Sequence, residues 1–483
     1  MNILLKKSTT FLFITLASFG LFAQINMPLG QRAKIARANL YKNISPSDAT
    51  AGAVIASPSR ANPDYYYHWV RDAALVMVPV LQQYKTTRSA RVKNLLFKKF
   101  HDYINFSRSN QKISDADPNL IDPRFIMGEP KFTVTGGAYN KGWGRPQNDG
   151  PALRAITLIQ YANQLIKEGK ANYVRDNIYR PEIPAHTVVK ADLEYTAHHW
   201  KMQNFDYWEE VKGFHVTTLM AQRKALLLGA KLASFFNDNG AANYYLKQAQ
   251  GVSEFLEKFW SPSEGIIRVT LDKNKHGKIS GLDVATILGT LHSELPGKSY
   301  SVLDPRVHAT ALQIKKVFQK VYNINKGAGQ IATAIGRYPE DVYDGNGFKG
   351  GNPWFLAIHA FAELHYRMVS TAVMVGDIVV SPINYNFFVD LKYLHPEIKK
   401  SLMQKERIFK QDPRFIRIMK ALALEADDYL KRSAFHANQR TGSMAEQINR
   451  NTGYMQGARD LTWSYASLLT AVYQRGVAAK LLR

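Results

Sequence analysis

WGRPQNDGPALRAITLIQYANQLI, residues 143–166, joins two kinds of sequence that a fold has to reconcile. Its first nine residues are aromatic, polar and turn-forming. From Pro151, which follows Gly150 where proline favours a first helical turn, apolar residues recur every three or four positions. A decorated loop therefore runs straight into an amphipathic helix. The same junction recurs at WVRD (69–72), WEEVKG (208–213), GLDVAT (281–286), GNPW (351–354) and ARDLTW (458–463). Asn352 before Pro353, and Asp460 before an apolar run, repeat the start signals.

Helical patterning appears at about a dozen places, and between most decorated loops lies one further helix with a plainer entry. That makes about six hairpins whose decorated loop always enters the same member. Closed into a ring, they gather the decorated loops on one rim. The pattern predicts an all-α (α/α)6 barrel with long active-site loops. A helical solenoid is the alternative, and the lack of a fixed repeat period disfavours it. Strand-like alternation is sparse; IIRVTL (266–271) is the best candidate, as a small hairpin beside Gly265 or Gly281.

The 483 residues are 46% hydrophobic and 21% charged, a balance that permits a large buried core. Residues 1–23, with Lys6 and Lys7 ahead of STTFLFITLASFGLF, read as a secretory signal peptide. Residues 24–483 are expected to form a single soluble catalytic domain, a monomer, secreted or periplasmic, with no stable membrane anchor. The absence of cysteine excludes disulfides, thiolate nucleophiles and Cys-ligated zinc. The net charge of +24 is spread over helical faces such as RVKNLLFKKF and EIKKSLMQKERIFK, so no nucleic-acid partner is expected. Gly345, Gly347 and Gly350 spell G-x-G-x-x-G without a βαβ context, and no metal motif is present, so neither a cofactor nor a metal is expected.

NFDYWEEVKGFH (204–215) sets Glu209 and Glu210 beside Trp208, as if opening a helix. A dipole would favour the ionised carboxylates there, whereas aromatic neighbours would favour the acid. Alone, such a pair need only complement a helix terminus. Glu446, in SMAEQINRNTGYMQGARDLTW (443–463), supplies a second carboxyl on the same rim. Two carboxyls ~6.5–9.5 Å apart leave room for a water and support inverting glycoside hydrolysis. Trp143, Trp208, Trp354, Trp463, Tyr65 and Tyr67 offer stacking faces for pyranose rings, and Arg71, Asp72, Arg145, Asp149 and Arg337 offer partners for hydroxyls.

YYYHWVRDAALVM, GRPQNDGPALRA, DYWEEVKG, GRYPEDVYDGNGFKGGNPWFLA and MAEQ…ARDLTWSYASLLTA resemble, in order, the signatures of the glucoamylases of glycoside hydrolase family 15. The resemblance spans residues 30 to 483. It implies an (α/α)6 barrel without cofactor that releases β-D-glucose, with inversion, from non-reducing ends of α-1,4-glucans, and more slowly from α-1,6 links. It also implies Glu209 as proton donor and Glu446 as the base activating water. Asp206 is a signature acid that tunes the donor or orders its loop, and is the alternative proton acceptor. By the same resemblance Arg71 and Asp72 grip the outermost glucose, and Arg337 and Glu210 hold the sugars flanking the cleaved bond. Trp143 and Tyr65 contact substrate, Trp208 offers a stacking face, and Trp463 and Trp354 wall the pocket. With no appended starch-binding segment, soluble starch, glycogen or maltooligosaccharides are the expected substrates. His68 and the lengthened GNGFKG loop depart from the family pattern. A sibling specific for α-1,6-glucan or trehalose, and a non-catalytic glucan-binding protein, are the other readings.

Overall fold

The computed structural model describes residues 27–113, 127–271, 277–327 and 331–483; the expected signal peptide lies outside them. Twelve helices of the described residues carry the architecture. They are α1 (Leu29–Lys42), α2 (Val70–Thr86), α3 (Ala90–Asn110), α4 (Asp149–Lys167), α5 (Val188–His199) and α6 (Val216–Phe235). There follow α7 (Asn239–Leu256), α8 (Ala285–His292), α9 (Pro305–Val321), α10 (Phe355–Val375), α11 (Pro413–His436) and α12 (Thr462–Leu481).

The even-numbered helices touch in sequence, α2 to α4 to α6 to α8 to α10 to α12, and α12 returns to α2. Each odd-numbered helix packs outside, α7 on α6 and α11 on α10 for example, while α1 lies against α12. The result is the (α/α)6 barrel that the sequence predicts. Burial separates the rings as their compositions require. Inner helix α10 buries 17 of its 21 residues, whereas outer helix α3 buries 7 of 21 and presents the rest to water.

The helix starts differ too. Ser89, Asp238, Asp304 and Asp412 cap outer helices through their own side chains. None of the six inner helices has a side-chain bond from its N-cap residue. Their first turns are instead tied into the decorated loops, where the chemistry is.

Strands are short. Ile266–Ile267 pairs with Trp260–Ser261 around Gly265, while Thr270–Leu271 pairs with Lys212–His215, so the expected IIRVTL hairpin is divided between two sheets. EIKKSLMQKERIFK is not one helical face: Pro396–Ser401 is helical and Glu406–Phe409 pairs with Asp377–Val380. No helix of the described residues is long and apolar enough to cross a membrane.

Candidate active site

The rim carries a pocket of about 270 Å³ floored by Trp463 and walled by Trp208, Trp354 and Trp143. Trp463 also borders a separate cavity inside the barrel, so it is a partition that makes the pocket a dead end. Five decorated loops line this pocket directly. The sixth, GLDVAT, acts from behind: Asp283 accepts the Trp208 indole N–H at 2.9 Å and fixes that ring.

Glu209 and Glu210 do not open a helix. Lys212–His215 is a strand paired with Asn204–Phe205, and α6 begins only at Val216. The two glutamates sit on the tip of this hairpin, where Asp206 Oδ1 accepts the amides of Glu210 (2.8 Å) and Val211 (3.0 Å). Phe214 suits a strand, and the Asp206 side chain offers the amides a turn in place of a helix. Glu209 is held at φ +68°, the left-handed region. For a residue with a Cβ this costs of order 1–3 kcal/mol and marks a position its surroundings enforce.

The Glu209 carboxylate accepts three charge-assisted bonds. Trp69 Nε1 donates to Oε1 at 2.8 Å, Arg71 Nη2 to Oε1 at 3.1 Å, and Trp143 Nε1 to Oε2 at 2.8 Å. Arg71 in turn faces Asp149 at 3.1 Å and Asp72 at 3.5 Å. Burial, and the Glu209 and Asp149 charges, push the Asp72 carboxyl up to about 7 against the pull of Arg71.

Glu446 comes from a loop 237 residues further along and is fully buried at the pocket wall. Tyr65 Oη donates to Oε1 at 3.1 Å and the Ala458 amide to Oε2 at 3.4 Å. Burial pushes this carboxyl up to about 8, although Ala458, Tyr65 and Arg337 all favour its charged form. The Tyr65 phenol is raised by burial and by both Glu446 and Glu209, so its hydroxyl lies within the field of each. Gly457 has φ +75° and passes so close that a Cβ would stand 2.3 Å from Glu446 Oε2.

Arg337 forms a fork with Asp341 (2.5 and 2.8 Å) and reaches Glu210 at 2.8 Å. Its guanidinium lies 5.3 Å from the Trp208 ring centre and 5.2 Å from Tyr343. Tyr338 donates to the other Glu210 oxygen at 2.6 Å. Glu210 is raised by burial in spite of both partners.

Asp206 does not line the pocket. It is buried behind the hairpin, with Lys278 Nζ 2.5 Å from Oδ2 and 2.6 Å from Asp283 Oδ2. Burial opposes its charge, yet Lys278, His215 and the Val211 amide hold Asp206 well below the usual carboxylate range. Asp283, sharing the same lysine, is pushed up by burial. Its position makes Asp206 a turn-forming anion and removes it from reach of a pocket water. Three further nominees also lie outside the lining: Arg145 is forked onto Glu129 (2.6 Å), Asp149 accepts a single bond from Arg71 (3.1 Å), and Tyr67 faces Lys131 (4.2 Å).

The remaining nominees, Tyr65, Arg71, Asp72, Trp143, Trp208, Glu209, Glu210, Arg337, Trp354, Glu446 and Trp463, share the one pocket. Sequence reasoning passed over Trp69, Tyr207 and Tyr343, which also line it. Trp69 and Tyr207 lie inside WVRDAA and DYWEEV, and their place beside a functional residue is the signal that could have found them.

Two carboxyls from distant loops, among indoles and guanidinium groups at the closed end of a helical barrel, define the class: a glycoside hydrolase of the (α/α)6 type. The profile of Glycosyl hydrolases family 15 matches residues 31–473. A glucoamylase of Blastobotrys adeninivorans is 37% identical over 91% of this chain and 70% of its own length. Glucoamylase 1 of Rhizopus oryzae is 37% identical over 92% and 70%. The solved glucoamylase of Saccharomycopsis fibuligera superposes with a TM-score of 0.85 at 32% identity, over 95% of this chain and 97% of that one. The chain belongs to glycosyl hydrolase family 15.

Proposed function

We propose that this family member is an exo-acting glucoamylase, a glucan 1,4-α-glucosidase that removes glucose from the non-reducing ends of soluble starch, glycogen or maltooligosaccharides with inversion to β-D-glucose. The observation that carries the reading is the meeting of Glu209 and Glu446 in one dead-end pocket. A pocket closed by Trp463 admits a chain terminus and excludes an internal segment, which is the requirement for exo action. Arg71 and Asp72 hold the 4- and 6-hydroxyls of the terminal glucose, and Arg337 and Glu210 hold the sugars on either side of the bond. The indoles of Trp143, Trp208, Trp354 and Trp463 supply apolar faces.

Glu209 gives its proton to the glycosidic oxygen as the C1–O bond breaks. Glu446 takes a proton from water, whose oxygen bonds to C1 from the opposite face. Positive charge growing on the sugar favours the ionised form of Glu446, which is the form that accepts the water's proton. Tyr65, bonded to Glu446 and within the field of Glu209, lies beside that charge. The protein acts as one catalytic unit outside the cytoplasm, in a periplasm or the medium.

One observation favours the roles exchanged. The three donors on Glu209 suit a carboxylate, and burial keeps a proton on Glu446. Both assignments give inversion. The shared reading is tested by following maltotriose hydrolysis by proton NMR: β-glucose appears first. Initial α-glucose, or no glucose, overturns it.

A further inference from the structure

Lys131 is buried, 2% exposed, on the strand Lys131–Phe132, and is the cross-strand partner of Trp69. Its ammonium has no ion-pair partner among the described residues. It sits instead among four aromatic rings. The nitrogen is 4.0 Å from the centres of Tyr139 and Trp143, 4.2 Å from Tyr67 and 4.4 Å from Trp69. The rings brace one another, Tyr67 on Tyr139 at 5.2 Å and Trp69 near Trp143 at 6.1 Å. An ammonium taken from water loses several kcal/mol of solvation, and each ring face returns roughly 0.5–2 kcal/mol. Apolar side chains would pack such a site at less cost, so the charge calls for another explanation.

Two of the four rings are the indoles that hold Glu209. Trp69 donates to one carboxylate oxygen and Trp143 to the other, each at 2.8 Å. A cation on an indole face draws electron density from the ring and makes its N–H a stronger donor, and the same charge acts through space on the carboxylate beyond. We infer that Lys131 is a positioning residue for Glu209: its ammonium fixes the two indole donors and, through them, the place of that carboxylate. The inference rests on Glu209 being a catalytic carboxyl. It gives the enzyme a group, remote from substrate, that holds Glu209 in place through its two indole partners.

The groups facing Lys131 are the Tyr67 and Tyr139 phenols, with the charges of Glu209, Asp64, Lys141 and Arg145 around them; Glu129 accepts the Lys131 amide and pairs with Arg145. Burial brings the ammonium down to about 8, while Glu209 and Asp64 oppose the fall. Lys131 is therefore charged below that pH and loses its influence above it.

Lys131→Met and Lys131→Arg test the inference through kcat and KM on maltose. Loss of the cation loosens the two indole donors, so Lys131→Met lowers kcat about tenfold with KM nearly unchanged, while Lys131→Arg follows the parent. A folded Lys131→Met whose kcat matches the parent overturns the proposal. Should Lys131→Met not fold, the unmodified protein decides. The indole N–H resonances of Trp69 and Trp143, assigned with Trp→Phe variants, are expected to titrate together near pH 8, and flat resonances overturn it. Full activity in Glu209→Gln would remove the catalytic reading of Glu209 while leaving the indole titration intact, so the two failures are distinguishable.

Discussion

Tyr65 Oη donates to Glu446 Oε1 at 3.1 Å and shares a second bond, at 2.8 Å, with Tyr343 Oη. The Glu446 carboxyl has few other donors, and burial already raises it to about 8. Tyr65→Phe removes one of the interactions that favour its charged form. Its proton is then lost at still higher pH, by on the order of one pH unit for a hydrogen bond to a charged group. With Glu446 as the base, the acid limb of the kcat/KM profile moves up, and activity at mildly acidic pH falls about tenfold. With Glu446 as the acid, the alkaline limb moves up instead. An unchanged profile would show that the Tyr65 bond does not govern Glu446.

Lys278 bridges Asp206 at 2.5 Å and Asp283 at 2.6 Å, all three groups being buried. Lys278→Met leaves two carboxylates without a cation, a cost of about 3–5 kcal/mol at neutral pH. The sign with pH follows from Asp206. Its carboxyl is held low in the folded state, so its contribution to stability is present above the ordinary carboxylate range and is lost as pH falls through the depressed value. The variant loses the lysine's share of this contribution, and on acidification its carboxylates protonate. Thermal melts are expected to show the largest gap between parent and Lys278→Met near pH 7, narrowing below about pH 4. A gap independent of pH would mean that Lys278 acts only by packing.

The barrel was legible because its signals are local. Gly150–Pro151, Asn352–Pro353 and Asp460 fall within three residues of helix starts, although the N-cap residues are Asn148, Trp354 and Leu461, and the outer faces repeat at helical spacing. Most of the pocket was legible for the same reason, since Trp143, Glu209 and Glu446 lie in loops that enter inner helices and Arg71 lies in the first turn of one. The hairpin under Glu209 was not, because WEEV suits a helix start and only the Asp206 turn, closed by long-range pairing with Thr270–Leu271, turns it into a strand. Lys278 ends KNKHGK, which reads as a solvated loop, and its burial depends on Asp206 72 residues away. Lys131 has no sequence signal, because its cage is collected from residues 67 to 143 and exists only once Trp69 and Trp143 converge on Glu209.

Gly457→Ala is expected to separate activity from folding. The φ of +75° penalises any Cβ by about 1 kcal/mol, and the new methyl would meet Glu446 Oε2 at 2.3 Å. The carboxylate has to move, while the two-residue strand Met455–Gln456 and its partner Gln447–Ile448 remain. Displacing a reacting group by about an ångström costs on the order of a hundredfold in rate. The expected outcome is a melting temperature lowered by a few degrees and a kcat reduced far more, with KM changed little. Equal activity in the variant would show that the Glu446 position is not set by the Gly457 approach.

The roles of the two glutamates are separated by the leaving group. A poor leaving group such as a glucose hydroxyl needs a proton as the bond breaks, whereas fluoride leaves without one. On α-D-glucosyl fluoride a variant lacking only the acid therefore retains turnover, and a variant lacking the base, which must still activate water, does not. Glu209→Gln is expected to lose about 10²–10⁴-fold on maltotriose yet keep most of its rate on the fluoride, while Glu446→Gln loses both. The three donors on Glu209 make the opposite result physically reasonable, since a carboxylate so held resembles a base. If Glu446→Gln is the variant that the fluoride rescues, the proton on Glu446 is the catalytic one, and its burial rather than the strained turn at Glu209 supplies the acid. Loss of fluoride turnover in both variants would place an activating role on each carboxyl and overturn a strict division between them.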